Sequence, residues 1–305
     1  MQEIYDLAIV GTGPAGLTAA IFGQRLGLKC VVFGNTPGGN LYMIQNIENY
    51  PGFPEGISGT SLGVQLFSQA QKQGAYLTMR LCKVLKKQAG LFSLADQEDV
   101  EYLAKAVVLA SGLSPKLPDI PIKVKSGVHL CTMCDGPLYR GKEASLAVIG
   151  GGNTAGTHVL QLMNIAKEIH LIHRGNELKM EWALESRIKD VKNLTIWLSA
   201  EVLEVVGEEH VESVVIRQGE ETRKISVDGI FLSVGWEPKL EYAKISINKT
   251  PEGYIITDSQ LCTSELGVFA AGDIRDTEVR QIITAAADGA KAAYAAFKYL
   301  ISKHL

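Results

Sequence analysis

The run Asp6-Leu7-Ala8-Ile9-Val10 followed by Gly11-Thr12-Gly13-Pro14-Ala15-Gly16 constrains this chain most. An apolar stretch leads straight into a GxGxxG spacing, and Leu17, Ala20, Ile21 and Leu26 then follow on one helical face. This reads as a buried parallel strand, a glycine loop and a helix. Gly11 makes the tight turn, Gly13 lets a diphosphate approach the backbone, and Gly16 lets helix and strand pack closely. The helix N-terminus then faces the phosphates. With 31 glycines, the bare spacing arises by chance about 0.3 times in such a chain, so the flanking strand and helix carry the assignment.

The same order returns later. Residues 145–149 form an apolar strand, Gly150-Gly151-Gly152-Asn153-Thr154-Ala155 follows with Ala in the third glycine's place, and a helix runs to about residue 167. Each loop is followed by a further strand, at 29–33 ending in Gly34-Asn35 and at 168–172 ending in His173-Arg174-Gly175. In the first half come a helix at 61–73, alternating strands through residue 94, and an apolar strand at 106–110. In the second half, short strands near 195–198, 201–206 and 211–217 predict a small antiparallel meander, and residues 229–235 close it. The first pattern resumes with Gly267-Val268-Phe269-Ala270-Ala271-Gly272-Asp273 and ends in an Ala-rich helix at 280–302, whose Ala-xxx-Ala spacing predicts close helix packing. The predicted fold is α/β: two Rossmann-like modules, each a three-layer ββα arrangement, the second inserted in the first. The first module takes residues 1–114 and 238–305 and the insert takes 115–237, with Pro115, Pro118, Pro121 and Trp236-Glu237-Pro238 at the crossings.

Hydrophobic content of 46% and charged content of 21% are those of a globular protein. A net charge of −3 without a Lys/Arg cluster argues against nucleic acid. No basic, apolar leader opens the chain and no run of about 18 apolar residues suggests a membrane span. Five scattered cysteines are not a secreted disulfide framework, so a cytoplasmic location is expected, with Cys30, Cys82 and Cys262 as buried small hydrophobes.

Cys131-Thr132-Met133-Cys134-Asp135-Gly136 needs a chemical explanation. Two cysteines three apart can close a reversible disulfide, and an adjacent acid can manage a proton. Half of a zinc site is the competing reading, but no second CxxC exists and no histidine pair has zinc-finger spacing. Gly38-Gly39-Asn40 and Asn49-Tyr50-Pro51-Gly52-Phe53 form an irregular excursion suited to lining a flat ring system, with Asn side chains available to ring heteroatoms.

Together these motifs, with Glu48-Asn49-Tyr50-Pro51-Gly52-Phe53, Ala271-Gly272-Asp273 and Arg280-Gln281, resemble the low-molecular-weight thioredoxin reductase family of flavoprotein disulfide reductases, across the whole chain. The resemblance implies FAD held by Gly11, Gly13, Pro14, Ala15, Gly16, Gly34, Gly39, Asn40, Gly272 and Asp273. Asp273 would bind the ribityl chain, Asn49, Arg280 and Gln281 would surround the ring or its linker, and Val84 would offer backbone contacts near the adenine. It implies that Cys134 meets the flavin, that Cys131 exchanges with a partner disulfide, and that Asp135 is the acid-base group. The implied partner is a thioredoxin-like protein disulfide and the implied assembly a homodimer. In that family one module rotates against the other, which would use the two crossings as hinges.

The second nucleotide loop departs from the family. Asn153-Thr154 stand for Asp-Ser, and Thr157-His158 for two acids; His158 is expected to be a solvated helix residue without a role. His173-Arg174 keeps two members of the 2′-phosphate set, but Gly175 replaces an Arg and Lys179 replaces another. A lost charged hydrogen bond costs roughly 1.5–3 kcal/mol, so NADPH binding is weakened. NADH, a second FAD or reduced ferredoxin stand as alternatives for Gly150, Gly151, Gly152, Asn153, Thr154, Ala155, His173, Arg174 and Lys179 or for the donor. A ferredoxin–NADP reductase or flavin oxidase on this scaffold would lack the CxxC. A non-catalytic redox-sensing or regulatory flavoprotein is the alternative of a different class.

Overall fold

The computed structural model describes residues 3–44 and 46–302. The chain divides into one unit of Met1–Ser114 with Glu237–Leu305 and another of Pro115–Trp236, so that Glu237 lies with the outer unit and not with the insert.

The outer unit is built on a seven-stranded sheet. Ile4–Val10 lies between Cys30–Phe33 and Glu101–Leu109, parallel to both. Tyr76–Leu77 extends the sheet beyond Cys30–Phe33. The long strand Glu101–Leu109 serves two partners. Its first half pairs antiparallel with Leu91–Asp96, which pairs with Cys82–Gln88, and its last residues pair in parallel with Val268–Ala270. The helix Pro14–Arg25 packs on one face against the C-terminal helix Ile282–Ser302. Their contact is close because small residues face each other. A Cβ on Gly289 would stand 2.1 Å from the Ala15 carbonyl oxygen, and Ala285, Ala292, Ala293 and Ala296 are buried in the same cluster as Ala15.

The inserted unit repeats the parallel core. Its five strands run in the order Leu194–Trp197, Glu168–Ile172, Ser145–Ile149, Gly229–Leu232 and Val128–His129, all parallel. Two expectations fail here. Residues 194–197 join the parallel sheet, where Ile169, Leu171 and Ile172 offer a buried, two-faced strand to pair with. The antiparallel sheet is instead Ala200–Val206, Ser213–Gln218 and Glu221–Ser226. The helix after the second loop also stops at Leu162, short of residue 167.

No helix among the described residues is long and apolar enough to cross a membrane.

Candidate active site

In each unit the functional residues gather past the carboxyl ends of the parallel strands, where open α/β sheets place ligands. In the outer unit Gly11 follows Val10 at φ +124°, and its N–H donates to Phe33 O at 2.8 Å. A Cβ on Gly16 would lie 1.9 Å from Gly11 O, so only glycine lets the helix start this close to the loop. The helix begins with Pro14 and Ala15, and its N-cap, Gly13, has no side chain to occupy the first N–H groups. Those groups are left to an anion.

The other expected flavin residues converge on this end or lie apart as follows. Gly39 and Asn40 open a 3-10 turn at Gly39–Met43, and a Cβ on Gly39 would come within 3.1 Å of Gly13 Cα. The Asn40 side chain donates to Leu113 O at 2.8 Å, a use the sequence did not suggest. Gly34 closes the strand Cys30–Phe33, directly under the Thr12 side chain. Gly272 and Asp273 form the turn Gly272–Ile274, where a Gly272 Cβ would be 2.9 Å from Ala15 Cβ. Asn49 Nδ2 donates to Gln281 Oε1 at 3.0 Å, joining positions 232 residues apart. Arg280 lies over the Tyr254 ring at 4.4 Å, yet its buried Nε has no hydrogen-bond partner. Burial pushes the Asp273 carboxyl above the ordinary range, with Arg280 opposing and Asp288 reinforcing that rise. Val84 sits on the hairpin strand Cys82–Gln88, opposite Ala95.

In the inserted unit Cys131 and Cys134 are joined as a disulfide, with Cα atoms 5.4 Å apart. Cys131 follows the strand Val128–His129 and caps the turn Thr132–Asp135, where its Sγ accepts the Cys134 N–H at 3.1 Å. Cys131 is 6% exposed, whereas Cys134 faces solvent. The Asp135 carboxylate lies 3.1 Å from His129 Nδ1, and His129 Nε2 is 2.8 Å from the Tyr139 hydroxyl. His129 and Tyr139 were not singled out from the sequence. The available signal was a His two residues before the first Cys.

The second glycine loop repeats the first, with Gly150 N–H donating to Ile172 O at 2.9 Å. Gly152 caps the helix Asn153–Leu162 without a side-chain bond, and Ala155 is fully buried at the third glycine's place. Asn153 is committed to Glu181: its Nδ2 donates to Glu181 Oε1 at 3.0 Å and its Oδ1 accepts the Glu181 N–H at 2.8 Å. Thr154 Oγ1 accepts from Trp236 Nε1 at 3.3 Å, and Lys179 N–H donates to Gly151 O at 2.7 Å. The His173 ring covers Gly151, its buried Nε2 has no partner, and Arg174 is exposed beside it. Burial is the main cause that lowers the His173 pKa. His158 is not solvated. It is 6% exposed, its Nδ1 lies 2.8 Å from Ser233 Oγ, and burial lowers its pKa to about 4. Of the remaining cysteines, Cys30 and Cys82 are buried but Cys262 is only half-buried, because it lies in an irregular stretch outside any strand. Among the described residues, no group of three or more His, Cys, Asp or Glu is placed to hold a metal ion.

Residues 5–289 match the family described as pyridine nucleotide-disulphide oxidoreductase. The chain belongs to that family. Within the pyridine nucleotide-disulphide oxidoreductases it is similar to the thioredoxin reductase of Peptoclostridium acidaminophilum, 37% identical over 314 residues with 98% of each chain covered. It is also similar to a 34.2 kDa protein in the rubredoxin operon of Clostridium pasteurianum, 36% identical over 308 residues with 99% of each covered. Among solved structures, the thioredoxin reductase of Lactococcus lactis in its FR conformation matches with a TM-score of 0.92 at 30% identity, over 98% of this chain and 99% of that one. The α/β architecture of Rossmann type is therefore that of the thioredoxin reductases, and the protein is a thioredoxin-reductase-like flavoprotein disulfide oxidoreductase.

Proposed function

We propose that this enzyme delivers an electron pair from bound FAD to the Cys131–Cys134 disulfide, and from the resulting dithiol to the disulfide of a thioredoxin-like protein. The observation that carries the proposal is the disulfide itself, set past the end of a parallel strand with Asp135 in the same turn.

The outer unit fits FAD by its own geometry. The uncapped helix at Gly13 and the loop from Gly11 to Gly16 suit the diphosphate. The half-buried Asp273 carboxyl suits ribityl hydroxyls, and the unpartnered Arg280 Nε is a donor waiting for an acceptor. Gly34, Gly39, Asn40, Asn49, Val84, Gly272 and Gln281 would complete the cradle. When bound, FAD supplies the capacity to accept two electrons and release them together.

Cys131 is the exchanging thiol in this reading, because the Cys134 N–H bonded to its Sγ favours the thiolate. Cys134 is the sulfur that meets the flavin. Cys131 is buried in the disulfide form, so it must be uncovered before a protein disulfide can reach it. Asp135 protonates the departing thiolate.

NADPH is a weakened donor in this reading, and NADH, a second FAD or reduced ferredoxin stand beside it. Only His173 and Arg174 remain of the cationic 2′-phosphate set, with Lys179 in place of one Arg and Gly175 in place of another, and the His173 ring is turned onto Gly151. The three glycines keep a place for a dinucleotide diphosphate.

One experiment tests the whole path. The purified holoprotein is assayed for flavins per chain, reduced anaerobically with dithionite, and mixed with oxidised thioredoxins. Oxidation of the enzyme with two thiol pairs formed per enzyme, one from the dithiol and one from the reduced flavin, is expected; no transfer to any thioredoxin defeats the proposal. Parallel titration with NADPH, NADH and reduced ferredoxin reads the donor, and rapid flavin reduction by NADPH would overturn that part.

A further inference from the structure

The geometry points to Asp288 as the residue that sets the spacing between the two halves of the flavin cradle: we propose that it is a positioning residue, clasping the turn that carries Asp273 to the helix that also braces the diphosphate loop. It rests on the flavin reading of the outer unit given above.

Asp288 is the one acidic residue in the Ala-rich helix Ile282–Ser302, and it is 7% exposed. A buried carboxylate is costly unless it is paired and hydrogen-bonded. Here both oxygens are engaged. Oδ2 accepts the Gly272 N–H at 3.1 Å and Arg275 Nε at 2.6 Å, and Oδ1 accepts Arg275 Nη2 at 3.2 Å. Arg275 Nη1 donates to Asp276 O at 3.3 Å, so the guanidinium is itself held in place. A two-point contact of this kind fixes direction as well as distance. Gly272 opens the turn Gly272–Ile274 at φ +76°, and an N–H at the start of such a turn has no partner within it. Asp288 supplies that partner. The carboxylate therefore grips the turn at its first residue and again just past its end.

The next residue ties the same part of the helix to the other half of the cradle. A Cβ on Gly289 would stand 2.1 Å from Ala15 O, and a Cβ on Gly272 would stand 2.9 Å from Ala15 Cβ and 3.5 Å from Ala285 Cβ. Ala15 lies in the first turn of the helix Pro14–Arg25, whose free N–H groups suit the diphosphate. Asp288 and Gly289 thus hold, side by side, the turn for the ribityl chain and the helix start for the diphosphate. In FAD those two groups are joined covalently, so the ligand fixes their separation. The protein matches it only if its own two sets of groups are equally fixed. Apolar packing between small residues has no direction; bonds to a carboxylate supply one.

Charge balance makes the arrangement compatible with an anionic ligand. The Asp288 charge is close enough to Asp273 to add to the rise that burial imposes on that carboxyl. Left alone, Asp288 would oppose the phosphates as well. Its ion pair with Arg275 neutralises it, which leaves an oriented clasp without net charge. Asp288 takes no part in moving electrons or protons and acts through the turn.

The test compares FAD with ADP, which carries the diphosphate but no ribityl chain. Full-length protein freed of flavin is titrated with FAD up to one equivalent per chain, and ADP is read by its competition with that FAD. In Asp288→Asn the side chain keeps its shape but offers a single oxygen where Gly272 and Arg275 present three N–H donors. FAD should bind about tenfold more weakly, the scale of one lost charged hydrogen bond, and ADP no more than about twofold more weakly than in the parent. The double variant Asp288→Asn, Arg275→Met leaves no unpaired buried charge. It should split the two ligands the same way, and it keeps the proposal testable if the single variant folds poorly. Unchanged FAD binding, or ADP weakened as much as FAD, overturns the proposal, because a general loosening of the fold does not distinguish the two ligands. Failure of ADP to compete in the parent overturns it too, since the two halves of the cradle would then not bind separately. Failure of the parent to bind FAD at all would instead defeat the flavin reading.

Discussion

The imidazole of His173 covers the α-carbon of Gly151, so closely that a Cβ at 151 would lie 2.4 Å from Nδ1. The outer unit holds the same contact with the sizes exchanged. There the loop carries Thr12, and the residue after the next strand is Gly34, whose Cβ would be 2.4 Å from Thr12 Oγ1. One side chain fills the gap between loop and strand end in each unit, and the opposite position must be glycine. Gly151→Thr should therefore destabilise the inserted unit by about 1–3 kcal/mol through overpacking. Adding His173→Gly should recover most of that loss. Urea unfolding of the two single variants and the double variant checks it, and additive losses would contradict it.

The C-terminal helix depends on the approach of Gly289 to the Ala15 carbonyl. That atom is backbone and cannot rotate aside. Gly289→Val should separate the helices Pro14–Arg25 and Ile282–Ser302, with a loss of about 3 kcal/mol. Because Pro14 and Ala15 open the first helix, flavin should also be released. Absorbance of the flavin after gel filtration, alongside thermal melting, measures both effects.

Arg280 has a buried, unpartnered Nε beside Asp273. Arg280→Leu should lower flavin occupancy while leaving the apo fold in place, since no bond within the protein is lost at that atom. Asp273→Asn should weaken flavin retention and raise apo stability near neutral pH, because it removes a carboxylate whose charged form is disfavoured by burial. Equal flavin content in parent and variants would remove these residues from the cradle.

His158 is buried and its pKa is depressed to about 4, below the ordinary value of 6.5. The unfolded chain thus takes up a proton at a higher pH than the folded one. The neutral ring's contribution is complete above about pH 6.5 and is lost as pH falls towards 4, reaching about 3 kcal/mol at most. His158→Gln should flatten this acid limb. Stability curves between about pH 7 and pH 4 read the difference, and parallel curves would show that another group carries it.

The disulfide exposes Cys134 and buries Cys131, yet the Cys134 N–H bonds to the Cys131 sulfur. The hydrogen bond, not the exposure, should decide reactivity once the bond is reduced. Cys134→Ser, which leaves Cys131 free, should trap a mixed disulfide with a thioredoxin-like protein, whereas Cys131→Ser should trap little. Mass spectrometry of the adducts distinguishes them, and dominant capture by Cys134 would reverse the two roles.

Much of the architecture was legible. Both glycine loops stood out because their constraint is local: Gly11 needs a positive φ, and Gly16 must clear an oxygen five residues back. The strands at 145–149 and 168–172 were legible because each is a short apolar run bounded by turn residues. The strand Leu194–Trp197 was misassigned to the meander, since its alternation suits either sheet and only the edge offered by Glu168–Ile172 settles the choice. The role expected of Asn40 missed the Leu113 carbonyl, which no local pattern connects to it.

The sequence by itself determined where backbone must turn sharply, where two cysteines can close a ring, and which family's motifs the chain shares. These depend on covalent spacing and on the space around single α-carbons. The tertiary structure alone decided that His129 lies between Asp135 and Tyr139, that His158 is buried beneath Phe231, and that His173 closes over Gly151. Each rests on strand register or on a contact between side chains brought together by the sheet. Sheet register sets which faces meet, and a shift of one residue would turn His129 away from its partners.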